Sequence, residues 1–123
     1  MPDQPPPLAD RIALVTGANS GLGRAVAGAL AGQGATVLMV CRDAARGEQA
    51  RDGIMAATGN PQVLLFVADL ASQAAIRGLA AQVRERFDRL HLLINNAGTA
   101  FPARRLSPDG IEMALAVNHY SGP

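Results

Sequence analysis

Lysine and tryptophan are both absent from this chain of 123 residues, and aromatic residues make up only 3% of it. All 11 basic residues are therefore arginine, which removes lysine as a catalytic base. With so few aromatic rings, the core has to be built from Ala, Val, Leu and Ile. The single cysteine, Cys41, excludes an internal disulfide and fits a reducing compartment, so we expect a cytoplasmic protein.

A strong charge imbalance is also missing, since the formal net charge is +1. This balance gives no reason to expect nucleic acid or an anionic membrane as the main partner. No apolar run approaches the ~20 residues that a membrane-spanning helix needs. The first residues lack the basic and apolar regions of a signal peptide. We expect residues 1–10 to form a disordered Pro-rich tail and residues 11–123 to form one domain.

Apolar runs and helical patterns alternate along the chain after the tail. The continuous apolar runs, typical of strands buried on both faces, are 12–16, 35–41, 63–68 and 90–94. The stretches with helical spacing are 22–30, 44–58 and 72–87, and Ser107-Pro108 has the N-cap and N1 residues of a last helix. This order predicts an α/β fold, a Rossmann-type parallel sheet of about four strands with helices on both faces.

A glycine-rich segment, Thr-Gly-Ala-Asn-Ser-Gly-Leu-Gly from Thr16 to Gly23, joins the first strand to the first helix. A helix N-terminus carries unsatisfied N–H groups and a partial positive charge, which suits an anionic pyrophosphate. Gly17 allows the tight turn, Gly21 the close approach of the backbone to a ligand, and Gly23 the close packing of helix on strand. We predict a dinucleotide site here, formed by Gly17, Ala18, Asn19, Ser20, Gly21, Leu22 and Gly23.

The end of the second strand is expected to meet the adenosine ribose of that dinucleotide. An acid at this point holds the 2′-hydroxyl of NAD, whereas an arginine holds the 2′-phosphate of NADP. The residues present are Cys41, Arg42 and Asp43. Arg42 can pair bidentately with a phosphate, or it can be a solvated residue at a strand end. Asp43 favours NAD, but it could equally cap the next helix. We predict NADP as the cofactor, with NAD as the alternative.

Three further motifs come later in the chain: Asp69-Leu70 after the third strand, Asn95-Asn96-Ala97-Gly98 after the fourth, and Asn118 in the helix beyond. Together with the glycine-rich loop, they make the chain resemble the short-chain dehydrogenase/reductase family from Arg11 to Asn118. The chain is most similar to the retinol-dehydrogenase-like, NADP-preferring branch of that family. The segments that carry this finer resemblance are the loop, Cys41-Arg42-Asp43, Asp109-Gly110-Ile111-Glu112 and Val117-Asn118-His119.

The resemblance implies a role for each motif. Asp69 would accept a hydrogen bond from the adenine amino group, and the Leu70 backbone would meet the adenine ring. Asn96, Ala97 and Gly98 would line the adenosine side of the cofactor site. Asn118 would hold a water molecule in the proton relay and is the one catalytic residue we predict. No metal site is predicted. A helix cap remains the alternative for Asp69, and a simple turn for the Asn pair.

The resemblance also implies hydride transfer between NADP(H) and a small-molecule carbonyl or alcohol substrate. In the family, a Ser, a Tyr and a Lys four residues after the Tyr carry the chemistry, because the cation lowers the pKa of the phenol. Tyr120 follows Asn118 too closely for that role, and no lysine is present to support it. We therefore expect the N-terminal, cofactor-binding part of an oxidoreductase, which becomes active with its C-terminal half and forms a homo-oligomer in the complete protein. Whether this chain is itself an enzyme stays open, since a non-catalytic NADP(H)-binding module is the alternative.

One structural consequence follows for a chain of this length. We expect its fourth strand to form an open edge of the sheet, so that the chain alone is unstable or associates.

Overall fold

The computed structural model of the chain describes residues 5–19, 21–95 and 99–106, with the backbone alone at Asn95 and over 99–106. Within these ranges the elements are β1 (Ile12–Thr16), α1 (Gly21–Gly32), β2 (Thr36–Cys41), α2 (Ala44–Thr58), β3 (Val63–Val67), α3 (Gln73–Arg86), β4 (Leu90–Asn95) and β5 (Thr99–Leu106). The four strands and three helices predicted before residue 96 are all confirmed, with bounds that differ by two residues at most.

The sheet has the order β3-β2-β1-β4-β5, and its first four strands run parallel. Leu14 at the centre of β1 pairs with Leu38 of β2 on one side and with Leu93 of β4 on the other. The chain first moves outward from β1 through β2 to β3, and then returns to the opposite side of β1 with β4. The direction of winding therefore reverses between β1 and β4, as in a Rossmann fold.

The fifth strand differs from the sequence prediction, which left β4 as an open edge. β5 pairs antiparallel with β4, with Thr99 opposite Asn95 and Leu106 opposite Leu90. Unpaired backbone N–H and C=O groups along β4 would be costly, and the segment directly after the strand can reach them by turning back. The prediction of an open β4 edge is therefore wrong for this structure. Pro102 lies within β5, which fits an edge strand.

Helices cover both faces of the sheet, as predicted, because neighbouring residues of each central strand point to opposite sides. On one face the side chains of α3 and of the strands form one buried cluster, whose members are Leu14, Leu38, Val40, Phe66, Ile76, Leu79, Val83, Leu90 and Leu93. On the other face α1, α2 and the strands form a second buried cluster that is rich in alanine, whose members are Val15, Ala18, Ala27, Ala31, Ala35, Val37, Met39, Cys41, Ala50, Ile54 and Val63. The alanines let α1 lie close to the sheet.

The ends of the helices follow their sequence signals. Ser72 is the N-cap of α3 and accepts a hydrogen bond from the Ala75 N–H at 3.2 Å. Gly59 ends α2 in the left-handed conformation, with φ at 72°. The Asn60 amide then donates to the carbonyl groups of Ala31 and Ala35 at 3.0 and 2.8 Å. Asn60 thus ties the end of α2 to the end of α1.

The described part of the N-terminal tail contacts the domain. The Leu8 N–H donates to the Gln33 carbonyl at 2.9 Å, and the Leu8 side chain packs against the core beneath α1 and α2. Pro6 lies so close to Gly34 that a Cβ at Gly34 would come within 2.5 Å of it. The sequence predicted a disordered tail over residues 1–10. The contacts of Leu8 hold the described part of this tail against the domain.

Candidate functional site

The candidate site lies at the edge of the sheet where the parallel strands β1 to β4 end. In open α/β sheets, ligands bind at this edge, beside the point where the winding reverses. Two backbone hydrogen bonds join the ends of neighbouring strands. The Ala18 N–H donates to the Val40 carbonyl at 3.5 Å, and the Ala68 N–H donates to the Cys41 carbonyl at 3.0 Å. The predicted site residues after β1, β2 and β3 are thereby brought to one edge.

The loop between β1 and α1 has two glycines in the left-handed conformation. Gly17 has φ of 58° and Gly21 has φ of 57°, which residues with a side chain adopt only with strain. A Cβ at Gly21 would meet no atom within 4 Å, so the loop is open on that side. Gly23, in contrast, is buried inside α1. The backbone therefore has room for a ligand at Gly21 and packs tightly at Gly23.

The other residues of the loop divide between its two sides. Ala18 is fully buried beneath the loop, Asn19 is half-buried, and Leu22 exposes 71% of its surface at the start of α1. Ser20 lies outside the described residues. The first turn of α1 presents backbone N–H groups that have no partner within the helix, since the first four donors of any helix lack one. This arrangement suits an anionic group.

Asp43 is the N-cap of α2. Its Oδ1 accepts a hydrogen bond from the Arg46 N–H at 3.2 Å, and its Oδ2 lies 3.7 Å from the Arg46 Nε. Of the two roles that the sequence left open for Asp43, the structure shows the helix cap. Sequence reasoning did not single out Arg46, although its spacing of three residues from a possible N-cap was a usable signal.

Arg42 is exposed at the end of β2, one residue before that cap. Within the part of the chain that the structure describes, its guanidinium makes no hydrogen bond or ion pair. An exposed guanidinium with no partner at this edge is free to bind an anion bidentately.

Asp69 forms a turn after β3. Its Oδ1 accepts a hydrogen bond from the Ala71 N–H at 3.0 Å, and its backbone carbonyl accepts one from the Ser72 N–H at 3.0 Å. Because Ser72 caps α3, Asp69 does not have the capping role considered from the sequence. Asp69 is exposed, and the Leu70 side chain packs against the core beneath α3.

Cys41 lies under the site rather than in it, with 2% of its surface exposed. Burial raises the pKa of its thiol, and the charge of Asp43 raises it further, while a hydrogen bond from the Ala18 backbone lowers it. The thiol therefore stays protonated near neutral pH and is a poor nucleophile.

The remaining predicted site residues, which are Asn96, Ala97, Gly98 and Asn118, lie outside the described residues, as does the helix predicted from Ser107. Over residues 5–19, 21–95 and 99–106, no three His, Cys, Asp or Glu side chains form a group that could hold a metal ion. Among the helices that the structure describes, none is long and apolar enough to span a membrane.

A depression of about 430 Å³ lies at the opposite edge of the sheet, beside Pro6, Gly34 and Asn60. Three of its polar side chains are already engaged, since the Thr36 hydroxyl donates to Gln62 Oε1 at 2.6 Å and the Asn60 amide donates to the Ala31 and Ala35 carbonyls. We therefore place the candidate site at the edge that carries the glycine-rich loop.

Known proteins and solved structures include several that are similar to this chain. The family model for short chain dehydrogenases matches residues 11–122. Retinol dehydrogenase 11 of Mus musculus is 45% identical over 112 residues, which are 91% of this chain and 35% of that protein. Polyprenol dehydrogenase of Mus musculus is 40% identical over 113 residues, which are 92% of this chain and 34% of that protein. The chain thus spans about a third of the length of these curated relatives.

Among solved structures, the NADP complex of RhlG from Pseudomonas aeruginosa is similar to this chain with a TM-score of 0.69. The two are 32% identical, and the similarity covers 94% of this chain and 46% of that one. The resemblance inferred from the sequence motifs is therefore confirmed, and retinol dehydrogenases are among the relatives. This chain belongs to the short-chain dehydrogenase family.

Proposed function

We propose that the chain forms the cofactor-binding part of an oxidoreductase that transfers hydride between NADP(H) and a carbonyl or alcohol substrate. The observation that favours NADP over NAD is the difference in contacts between the Arg42 and Asp43 side chains, which follow β2. Asp43 turns its carboxylate toward α2, whereas Arg42 stays exposed and without a partner among the described residues. A free cation at this position favours a phosphate over a hydroxyl on the ribose.

The described residues fit a dinucleotide along the edge of the sheet. The glycine-rich loop and the N-terminus of α1 would hold the pyrophosphate, because Gly21 leaves open space beside the backbone. Arg42 would bind the 2′-phosphate. The Asp69 carboxylate would accept the hydrogen bond of the adenine amino group, since only one bond, from Ala71, reaches it within the described ranges. The Leu70 backbone would meet the adenine ring.

The cofactor would supply the hydride, and this chain's residues would bind and orient it. By family resemblance, Asn96, Ala97 and Gly98 would complete the adenosine side, and Asn118 would hold the water molecule of the proton relay. The chain contains no lysine to lower the pKa of a catalytic tyrosine. A second candidate for the chain by itself is a module that binds NADP(H) without catalysis.

The substrate proposal follows from the relatives' names. Retinol and polyprenol are both isoprenoid alcohols, so we propose an apolar alcohol or its carbonyl counterpart as the substrate class of the complete protein. The cytoplasm remains our proposal for the compartment, from the presence of a single cysteine, Cys41. A homo-oligomer remains our proposal for the complete protein, to be measured by light scattering.

The test is a titration of the 123-residue chain with NADPH and with NADH by isothermal calorimetry. One charge-assisted contact to the 2′-phosphate corresponds to about a tenfold difference in affinity. We expect NADPH to bind at least that much more tightly than NADH, and Arg42→Gln to remove the difference.

Arg77→Gln is the matched control, because it also removes one exposed arginine but lies on α3. Equal affinities of the wild-type chain for NADPH and NADH would contradict the assignment of Arg42. Turnover of retinol or retinal by the chain alone would contradict the non-catalytic candidate.

A further inference from the structure

The strand β3 forms one edge of the sheet, and part of its backbone points away from the molecule. At its start, the Gln62 carbonyl accepts a hydrogen bond from the Val37 N–H at 3.0 Å. At its end, the Ala68 N–H donates to the Cys41 carbonyl at 3.0 Å. Successive residues of a parallel strand bond to opposite sides, so the residues that direct both backbone groups outward are Val63, Leu65 and Val67. Within the part of the chain that the structure describes, these outward groups have no partner.

This edge lacks the features that keep most exposed strands from pairing with another chain, which are charged side chains, proline and β-bulges. Residues 62–68 read Gln-Val-Leu-Leu-Phe-Val-Ala, with no charge and no proline, and the register with β2 is regular. Val67 exposes 51% of its surface. The other edge strand, β5, contains Pro102 and Arg104-Arg105. The edge of β3 is therefore the one open to pairing.

The flank of α2 above this edge carries no net charge. The other flank of the helix faces α1, since a Cβ at Gly53 would lie 2.5 Å from the Arg24 guanidinium. Helical spacing places Glu48, Arg51 and Met55 on the side away from α1, above the edge of β3. One acid and one base cancel on this side, and Met55 is partly buried in the core. An identical flank that approaches this edge is therefore not repelled.

We propose that the free edge of β3 is the surface through which this chain pairs with a second copy of itself. The segment is self-complementary about Leu65, because two antiparallel copies related by a two-fold axis place Leu65 opposite Leu65 and Val63 opposite Val67. Residues opposite each other in this way exchange both of their N–H···O=C bonds. Every outward group of the three residues then has a partner, and the exposed Val67 side chain packs beside Val63 of the second copy.

A two-fold contact closes with two copies, because each chain has one such edge. It joins two sheets into one and leaves the ends of β1 and β2, with the glycine-rich loop and Arg42, outside the contact. The inference adds a surface to the proposed homo-oligomer and does not rest on the assignment of the cofactor.

The test is sedimentation velocity of the 123-residue chain over a range of concentrations, with variants at Val67. Val67→Lys places a charge on the edge, and Val67→Pro removes an outward N–H that β2 does not use. We expect the wild-type chain to dimerise and both variants to raise the dimer dissociation constant at least about tenfold. Val67→Thr is the matched control, because it keeps the shape and the N–H of valine, and it should dimerise like the wild type.

Hydrogen exchange of the wild-type chain tests the same surface without a substitution. The amide groups of residues 62–68 should become more protected as the concentration rises, whereas those of α3 should not change. Protection that does not depend on concentration would contradict the pairing of β3.

Each outcome of sedimentation decides the proposal. A wild-type chain that stays monomeric overturns it, as does a dimer that persists in Val67→Lys and Val67→Pro. Loss of the dimer in Val67→Thr as well would show that the side chain, and not the backbone edge, makes the contact, and would also overturn it. The titration with NADPH is a separate measurement, so a failure to bind the cofactor would overturn the proposed function and leave the pairing of β3 to be judged by sedimentation.

Discussion

Replacing Gly47 with alanine tests how closely α2 packs against the end of β2. An added Cβ would lie 2.8 and 3.1 Å from the two Cδ atoms of Leu65 and 3.3 Å from the Cys41 Cβ. The half-buried Leu65 side chain can tilt away in part, whereas the Cys41 Cβ is held by the strand. The substitution therefore puts one methyl group into a space that is already filled.

Two opposing terms determine the magnitude for Gly47→Ala. Alanine in place of glycine inside a helix stabilises it by about 1 kcal/mol. Overpacking a core by one methyl group costs about 1–3 kcal/mol. The cost exceeds the gain, so we expect a net loss of about 1 kcal/mol in the free energy of unfolding. For a chain of this size that corresponds to about 4 °C in melting temperature.

The assay is thermal and urea unfolding followed by circular dichroism, with Gly78→Ala as the matched control. Gly78 lies within α3, and a Cβ there would meet nothing within 4 Å, so its replacement should raise stability by about 1 kcal/mol. The reasoning is refuted if both variants are stabilised equally. The double variant Gly47→Ala/Leu65→Ala should lose less than the sum of the two single changes, because it relieves the clash.

Three further predictions concern single side chains. Asp43→Asn keeps an N-cap residue but removes a negative charge beside the proposed phosphate site. Calorimetry should therefore show NADPH binding that is a few-fold tighter and NADH binding that is unchanged. Weaker NADH binding would instead indicate that Asp43 binds the ribose hydroxyl. Asn60→Ala removes the side-chain hydrogen bonds that Asn60 donates to the Ala31 and Ala35 carbonyls and accepts from the Gln62 N–H. The free energy of unfolding, measured with urea, should fall by about 2 kcal/mol. A fall of less than about 0.5 kcal/mol would contradict this expectation. Because the pKa of the Cys41 thiol is raised in the folded state, its stabilising contribution should be complete below the unfolded-state pKa of about 8.5 and be lost as the pH rises toward the folded-state value. Cys41→Ala should flatten this alkaline decline in melting temperature, and an unchanged decline would assign it to other groups.

Most of the fold could be predicted because its signals are local. The continuous apolar runs of β1 and β2 indicate burial on both faces, and the structure places Leu14 and Val15 on opposite sides of the sheet. Ser72 and Gly59 mark helix ends through their own backbone and side-chain chemistry. The glycine-rich loop was found in the same way, since the spacing of Gly17, Gly21 and Gly23 between a strand and a helix is visible in the sequence.

The sequence by itself thus determined the four parallel strands β1 to β4, the helices α1 to α3, the glycine-rich loop and the family. Only the tertiary structure decided that β5 pairs antiparallel with β4. Pro102 and Arg104-Arg105 are not typical of a strand, so the sequence of this segment does not predict one. Only it decided that Asp43 turns toward α2 and that Arg46 stands beside it. The physical reason is the distance along the chain over which each interaction acts. Hydrophobic periodicity and helix capping involve residues that are close in sequence, whereas strand pairing joins groups that only folding brings together. The direction of the Asp43 side chain likewise depends on the packing of α2 on β2, which places Arg46 within its reach.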